Sequence, residues 1–118
     1  MILIAGGYSS NLGYLTSVEL YNPKTSSSCF LPSLPASRFD PISSGLRVCG
    51  GSWNTQDCLE FTGGTWTTTV QLTDDRWGSS GWESSQGLVI MGGWDSSDTA
   101  EIVRDGYSEE LFNLNPRT

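Results

Sequence analysis

Apolar and polar residues alternate along this chain over short stretches, and turn-forming residues break every stretch. Ile2-Leu3-Ile4-Ala5 is followed by glycines. Ser17-Val18-Glu19-Leu20-Tyr21 alternates and ends at Asn22-Pro23. Leu46-Arg47-Val48-Cys49, Asp57-Cys58-Leu59-Glu60-Phe61, Leu88-Val89-Ile90-Met91 and Thr99-Ala100-Glu101-Ile102-Val103 behave alike. A period near two with side chains on opposite faces is the pattern of a strand. No segment keeps helical periodicity beyond about one turn. Many short strands separated by Gly-rich turns predict an all-β sandwich, barrel or propeller.

The strands also repeat. Ile2-Leu3-Ile4-Ala5-Gly6-Gly7 returns as Leu46-Arg47-Val48-Cys49-Gly50-Gly51 and again as Leu88-Val89-Ile90-Met91-Gly92-Gly93. The first glycines stand at 6, 50 and 92, spacings of 44 and 42 residues. A fixed period of this size marks stacked units that each bury a face against the next. An alternating strand follows every pair. A Leu-to-Arg segment precedes the second and third copies: Leu31-Pro32-Ser33-Leu34-Pro35-Ala36-Ser37-Arg38 and Leu72-Thr73-Asp74-Asp75-Arg76.

Four apolar residues, Gly-Gly, an aromatic strand, Tyr21-Asn22-Pro23-Lys24-Thr25 and the Leu-Pro-x-Leu-Pro-x-x-Arg segment closely resemble the kelch repeat. The resemblance covers nearly the whole chain, and the first repeat matches best. Ser28 stands where the family has tryptophan, Phe61 replaces the tyrosine of the second repeat, and Ile102 and Val103 replace the aromatic of the third. The resemblance implies a kelch-type β-propeller fragment of about two and a half four-stranded antiparallel blades, at 1–35, 36–75 and 76–118. On that template strand one runs near Pro41–Ser44 and Ser79–Glu83, and strand two ends in Gly-Gly. Strand three holds Val18–Tyr21, Asp57–Phe61 and Thr99–Val103. Strand four lies near Cys29–Leu31, Trp66–Val70 and Leu111–Leu114. A closed ring takes about four to eight blades, so the ring is expected to be open. Open blade faces are expected to self-associate or to be poorly soluble.

Composition narrows the function. The chain has 118 residues and a net charge of −7, with no Lys/Arg cluster, which disfavours nucleic acid as a partner. No apolar run approaches the ~20 residues that span a bilayer, so no membrane insertion is expected. Met1–Ala5 reads as a strand, not as part of a signal peptide. Histidine is absent. That removes Ser–His and Cys–His nucleophiles, and also the two His ligands implied by resemblance to the copper-radical oxidases that use kelch repeats. No catalytic residue, cofactor or metal site is predicted. The expected role is a non-catalytic scaffold for a protein or peptide partner. Carbohydrate binding through exposed tryptophans, or membership of a larger propeller enzyme with its site elsewhere, are the alternatives.

Alternating strands place the loops between strands two and three, and between four and one, on one face. That face is expected to carry Tyr8, Trp53 and Trp94 after the Gly pairs, and Arg38, Arg76 and Trp77 before strand one. Aromatics and arginine are typical binding anchors, and the resemblance implies a peptide-gripping face there. The competing reading has the tryptophans packed between blades and the arginines bracing loops. Trp66 and Trp82 are expected in the core. Cys49 and Cys58 lie on adjacent strands, close enough for a disulfide, which would imply an oxidising compartment; two buried thiols are the alternative. Gly63-Gly64-Thr65-Trp66 carries only half of a sialidase Asp box and reads as a turn. Asp95-Ser96-Ser97-Asp98 has too few carboxylates for a calcium shell and reads as a polar loop, as does Asp74-Asp75.

Overall fold

Each apolar run of the repeat forms a strand, and a Gly-Gly pair follows it. The computed structural model describes residues 1–52, 55–94 and 98–113, and every regular element among them is a strand. The first repeat gives β1 (Ile2–Ala5), a small hairpin of β2 (Tyr8–Ser9) and β3 (Gly13–Tyr14), then β4 (Val18–Asn22) and β5 (Ser27–Leu31). The second gives β6 (Ile42–Ser44), β7 (Arg47–Cys49), β8 (Asp57–Thr62) and β9 (Thr65–Gln71). The third gives β10 (Ser80–Ser84), β11 (Gly87–Met91), β12 (Thr99–Val103) and β13 (Ser108–Asn113). The sheets are β1-β4-β5, β6-β7-β8-β9 and β10-β11-β12-β13, all antiparallel. This is the all-β arrangement of propeller blades that the repeat predicts.

Register decides which side chains face a neighbouring blade. Val18 opposes Ala5 and Leu31, while Val48 opposes Leu59. These residues meet Leu34 and Trp66 in one core between the first and second sheets. The other face of the second sheet carries Cys49, Cys58 and Val70. It packs with Leu72 on Leu88, Ile90 and Val103 of the third, with Ile42 at its margin. Each fully buried aliphatic side chain contributes about 1.5–3 kcal/mol. A blade therefore depends on both of its neighbours.

Trp82 corrects an expectation: it is 56% exposed rather than in the core. Its neighbour Gly81 turns toward the second sheet, where a Cβ would meet Ile42 Cγ2 at 3.1 Å. Alternation then puts Trp82 on the third sheet's far face. Trp66 does pack on the core, with its Nε1 donating to Pro32 O at 2.8 Å. Gly63 and Gly64, at φ 59° and 86°, form the β8–β9 turn. The last strand starts earlier than the expected Leu111, because a tight turn closed by Arg104 N donating to Tyr107 O at 2.8 Å launches it at Ser108.

Arg38 and Arg76 are also corrected: both side chains are buried and cannot grip a partner. Each joins two blades. Arg38 O accepts from Gly7 N in the first blade, while its guanidinium enters the second. There Nη1 donates to Gly50 O at 3.0 Å and Asp57 O at 3.1 Å, and Nη2 to Asp57 Oδ1 at 2.6 Å. Arg76 repeats this one blade on. Its O accepts from Gly51 N, its Nη1 donates to Gly92 O at 2.9 Å and Thr99 O at 3.1 Å, and its Nε to Glu101 Oε2 at 2.8 Å. Gly50 must be glycine, since its φ is +65° and a Cβ would collide with Arg76 O.

Cys49 and Cys58 are directly opposed in register and joined by a disulfide across a sequence separation of 9, inside the second core. Cys29 is free and exposed.

Two outcomes follow in chemical denaturation. Arg76→Met leaves the Glu101 carboxylate buried without its cation and is expected to cost about 3–5 kcal/mol; Arg76→Met with Glu101→Leu is expected to recover part of that. Joint replacement of Cys49 and Cys58 by alanine frees a short loop and is expected to cost about 2–3 kcal/mol. An unchanged urea midpoint in either experiment contradicts the role given to that contact.

Candidate functional site

The Gly-Gly turns and the Arg-led loops meet on one face, as strand alternation requires. Phe39 follows Arg38 and Trp77 follows Arg76. Phe39 O accepts from Ser52 N at 2.9 Å and Trp77 O from Trp94 N at 3.1 Å, so each Arg-led loop is tied to the next blade's Gly-Gly turn. Phe39 N donates to Ser52 Oγ at 2.9 Å, closing the first of these ties on both sides.

These anchored loops carry a continuous run of aromatic rings. Tyr8 meets Tyr14 edge-on at 5.2 Å between centroids, and Tyr14 meets Phe39 edge-on at 5.8 Å. Phe39 meets Trp77 at 5.9 Å, and Trp77 stacks on Trp94 at 5.4 Å with planes only 12° apart. Edge-to-face and offset contacts at these distances are favourable beyond simple burial, by about 0.5–1.5 kcal/mol each. The ribbon crosses all three blades. It stays open to solvent, with Tyr8 58%, Tyr14 49% and Trp94 73% exposed. Gly78 makes the last step possible: a Cβ there would lie 2.9 Å from Trp94 Cδ1.

The structure thus brings Tyr8, Trp77 and Trp94 together and removes Arg38 and Arg76 from the surface. Trp53 lies outside the described residues, as do residues 95–97 of the Asp95–Asp98 loop. Tyr14 and Phe39 were not singled out from sequence. Phe39 was legible, because it holds the place of Trp77 after the repeated arginine. Tyr14 depended on the β2–β3 hairpin, whose loop is set by Ser9 Oγ accepting from Asn11 N and Leu12 N at 3.3 and 3.4 Å.

The opposite face offers a groove between the second and third blades, lined by charged residues that include Arg47, Glu60, Glu83 and Arg104. Their charges are engaged within the fold. Arg47 pairs with Glu60 at 3.6 Å, Glu83 accepts from Ser44 Oγ at 2.8 Å, and Arg104 pairs with Glu109 at 3.1 Å. Among the described residues no cluster of His, Cys, Asp and Glu is arranged to hold a metal ion.

Gly78→Ala is expected to unstack Trp94 from Trp77 while leaving the blades folded. Coupled indoles give a paired near-ultraviolet circular-dichroism band. That band should disappear in Gly78→Ala and in Trp94→Ala alike, and its persistence in Gly78→Ala would show that the stack does not need the glycine.

Comparison with known proteins bears on the repeat. The family model of the kelch motif matches residues 1–35. No curated protein matches the chain. The Gly-Gly strand and the antiparallel strand order of that matched segment recur in the two sheets that follow, an all-β arrangement consistent with kelch-type propeller blades.

Proposed function

We propose that the chain is a non-catalytic interaction scaffold that binds a protein or peptide along the aromatic ribbon Tyr8–Tyr14–Phe39–Trp77–Trp94. The observation that carries this reading is the ribbon's combination of exposure and rigidity. Exposed aromatic rings normally lose entropy when a partner fixes them. Here stacking and backbone ties hold them in place beforehand, which lowers the cost of binding. Tyrosine and tryptophan supply large contact area with few rotatable bonds and are the residue types most enriched at binding hot spots. The net charge of −7 favours a neutral or basic partner and disfavours nucleic acid.

Carbohydrate binding is the second reading, favoured by the flat, exposed Trp94 ring on the Trp77 stack. Sugar rings pack on such surfaces through their C–H faces. Peptide-display selection and a glycan array, run on the same chain, separate the two. The expected result is peptide ligands whose affinity falls about tenfold or more in Tyr8→Ala and Trp94→Ala. Arg104→Ala on the opposite face should leave affinity unchanged. Glycan ligands alone would replace the first reading with the second. Peptide binding indifferent to both ribbon substitutions would remove the ribbon as the site.

A further inference from the structure

The polar groups along the aromatic ribbon are one-sided. Much of the backbone that carries the rings is bonded within the fold. Phe39 N donates to Ser52 Oγ and Phe39 O accepts from Ser52 N, both at 2.9 Å. Asp40 O accepts from Gly78 N at 3.3 Å, Trp77 O from Trp94 N at 3.1 Å, and Gly7 O from Leu15 N at 2.9 Å. A peptide that adds as a strand needs free N–H and C=O groups along its path, and at Phe39, the middle ring, both are taken. What the ribbon still offers is donors. The Tyr8 and Tyr14 hydroxyls and the Trp94 indole N–H make no hydrogen bond among the described residues, and all three side chains are exposed. One carboxylate stands beside them. Asp40 is exposed and has no ion pair among the described residues. Its Oδ2 lies 3.5 Å from the point a Gly78 Cβ would occupy, and Trp94 Cδ1 lies 2.9 Å from the same point.

The ribbon is also corrugated. Tyr8 and Tyr14 are turned 60° to each other, Tyr14 and Phe39 81°, and Phe39 and Trp77 53°. Rings set on edge to their neighbours leave apolar notches between them. An α-helix, about 10–12 Å across with its side chains, is too wide to settle between rings 5.2–5.9 Å apart. A polyproline II helix is slimmer. It has three residues per turn and rises about 3.1 Å per residue, so prolines three apart line one edge about 9 Å from each other. That is just under two ring-to-ring steps of the ribbon. Its backbone makes no internal hydrogen bonds, and proline has no N–H. Such a segment presents carbonyl acceptors with few donors, the complement of what the ribbon leaves free.

We propose that the ribbon takes a proline-rich segment in polyproline II conformation, with prolines seated between the rings and a basic residue against Asp40 at the Trp94 end. The inference rests on the ribbon being the binding surface. The Tyr8 and Tyr14 hydroxyls and the Trp94 N–H donate to carbonyls of the peptide, and the proline rings pack in the notches. Such a peptide is already extended and stiff before it binds, and the rings are already fixed. Both sides therefore lose little conformational freedom. Asp40 draws the basic residue to one end and so sets the direction of the peptide, in line with a chain of net charge −7.

Isothermal titration calorimetry on the full 118-residue chain tests this with synthetic peptides of equal length that end in arginine. One is otherwise proline-rich, with prolines three apart; in the other, serine replaces every proline. The proline peptide should bind about tenfold more tightly than its serine counterpart. Tyr14→Phe keeps the ring and removes the hydroxyl, and should weaken the proline peptide by roughly threefold to tenfold. Asp40 has a φ of 58°, which asparagine also adopts readily. Asp40→Asn should therefore leave the fold intact and weaken the proline peptide by about twofold to fivefold, with no effect on a version lacking the arginine. Circular dichroism confirms the folding of each variant. Equal affinity for the two peptides overturns the proposal, as does proline-peptide binding indifferent to either substitution. Proline-free peptides that bind along the ribbon while the proline peptide does not overturn it too, and leave the ribbon as the binding surface. If no peptide of either kind loses affinity in Tyr8→Ala and Trp94→Ala, the ribbon reading falls and this inference with it.

Discussion

The arginine that straddles each blade junction is the contact on which this architecture turns. Its carbonyl accepts from the Gly-Gly turn of its own blade while its guanidinium holds the carbonyls and carboxylate of the next. One residue thereby fixes two sheets relative to each other. The apolar cores on either side supply more free energy, but burial is non-directional and roughly proportional to area. It would tolerate sliding of one sheet over another. The planar fork of the guanidinium does not, since it must meet two carbonyls and a carboxylate at once. The glycines follow from the same requirement. A side chain at Gly6 or Gly50 would occupy the space of the arginine carbonyl that closes the turn.

The aromatic ribbon is a consequence of that junction. Phe39 and Trp77 follow the bridging arginines, so fixing Arg38 and Arg76 also fixes where those rings emerge. The Gly-Gly turns deliver Tyr8 and Trp94 to the same face, and the backbone bonds from Ser52 and Trp94 tie loop to turn. The aromatic ribbon and the structural bridge are thus successive residues of one segment. Strain at the bridge would be felt as misplacement of the rings, and a force on the ribbon would be carried to the junctions between blades.

Much of this was legible in the sequence because it depends on spacing. The Gly-Gly period, the strand assignments and the facing of Cys49 toward Cys58 needed only periodicity and alternation. The face carrying Tyr8, Trp77 and Trp94 followed from strand direction. Side-chain fate was less legible. Arg38 and Arg76 belong to a residue type common at both interfaces and buried ion pairs, and sequence alone did not choose between them. Their acceptors, Gly50 O and Gly92 O, are backbone atoms with no signature of their own. Trp82 failed for a different reason. Its place on an inner strand was right, but alternation gives two faces, and which one meets a neighbour was set by Gly81 packing on Ile42. Tyr14 joined the ribbon only through a short hairpin that the repeat does not contain.

The bridges also differ from one another in a way that matters for a chain of similar blades. Repeats with similar strands can pack in the wrong order while burying much the same area. In the second blade the carboxylate comes from Asp57, at the start of its strand; in the third it comes from Glu101, two residues further along the corresponding strand. Arg38 meets its carboxylate through Nη2 and Arg76 through Nε, so the two guanidiniums approach from different angles. Glu101 is further engaged by Thr73 N and Ser108 Oγ at 2.8 and 2.6 Å, drawing the chain before Arg76 and the last strand into the same knot. A swapped neighbour would bury a charge without its partner, which costs several kcal/mol, about as much as one well-packed side chain contributes or more. The polar groups at these junctions therefore add little to total stability and much to the order in which similar sheets stack.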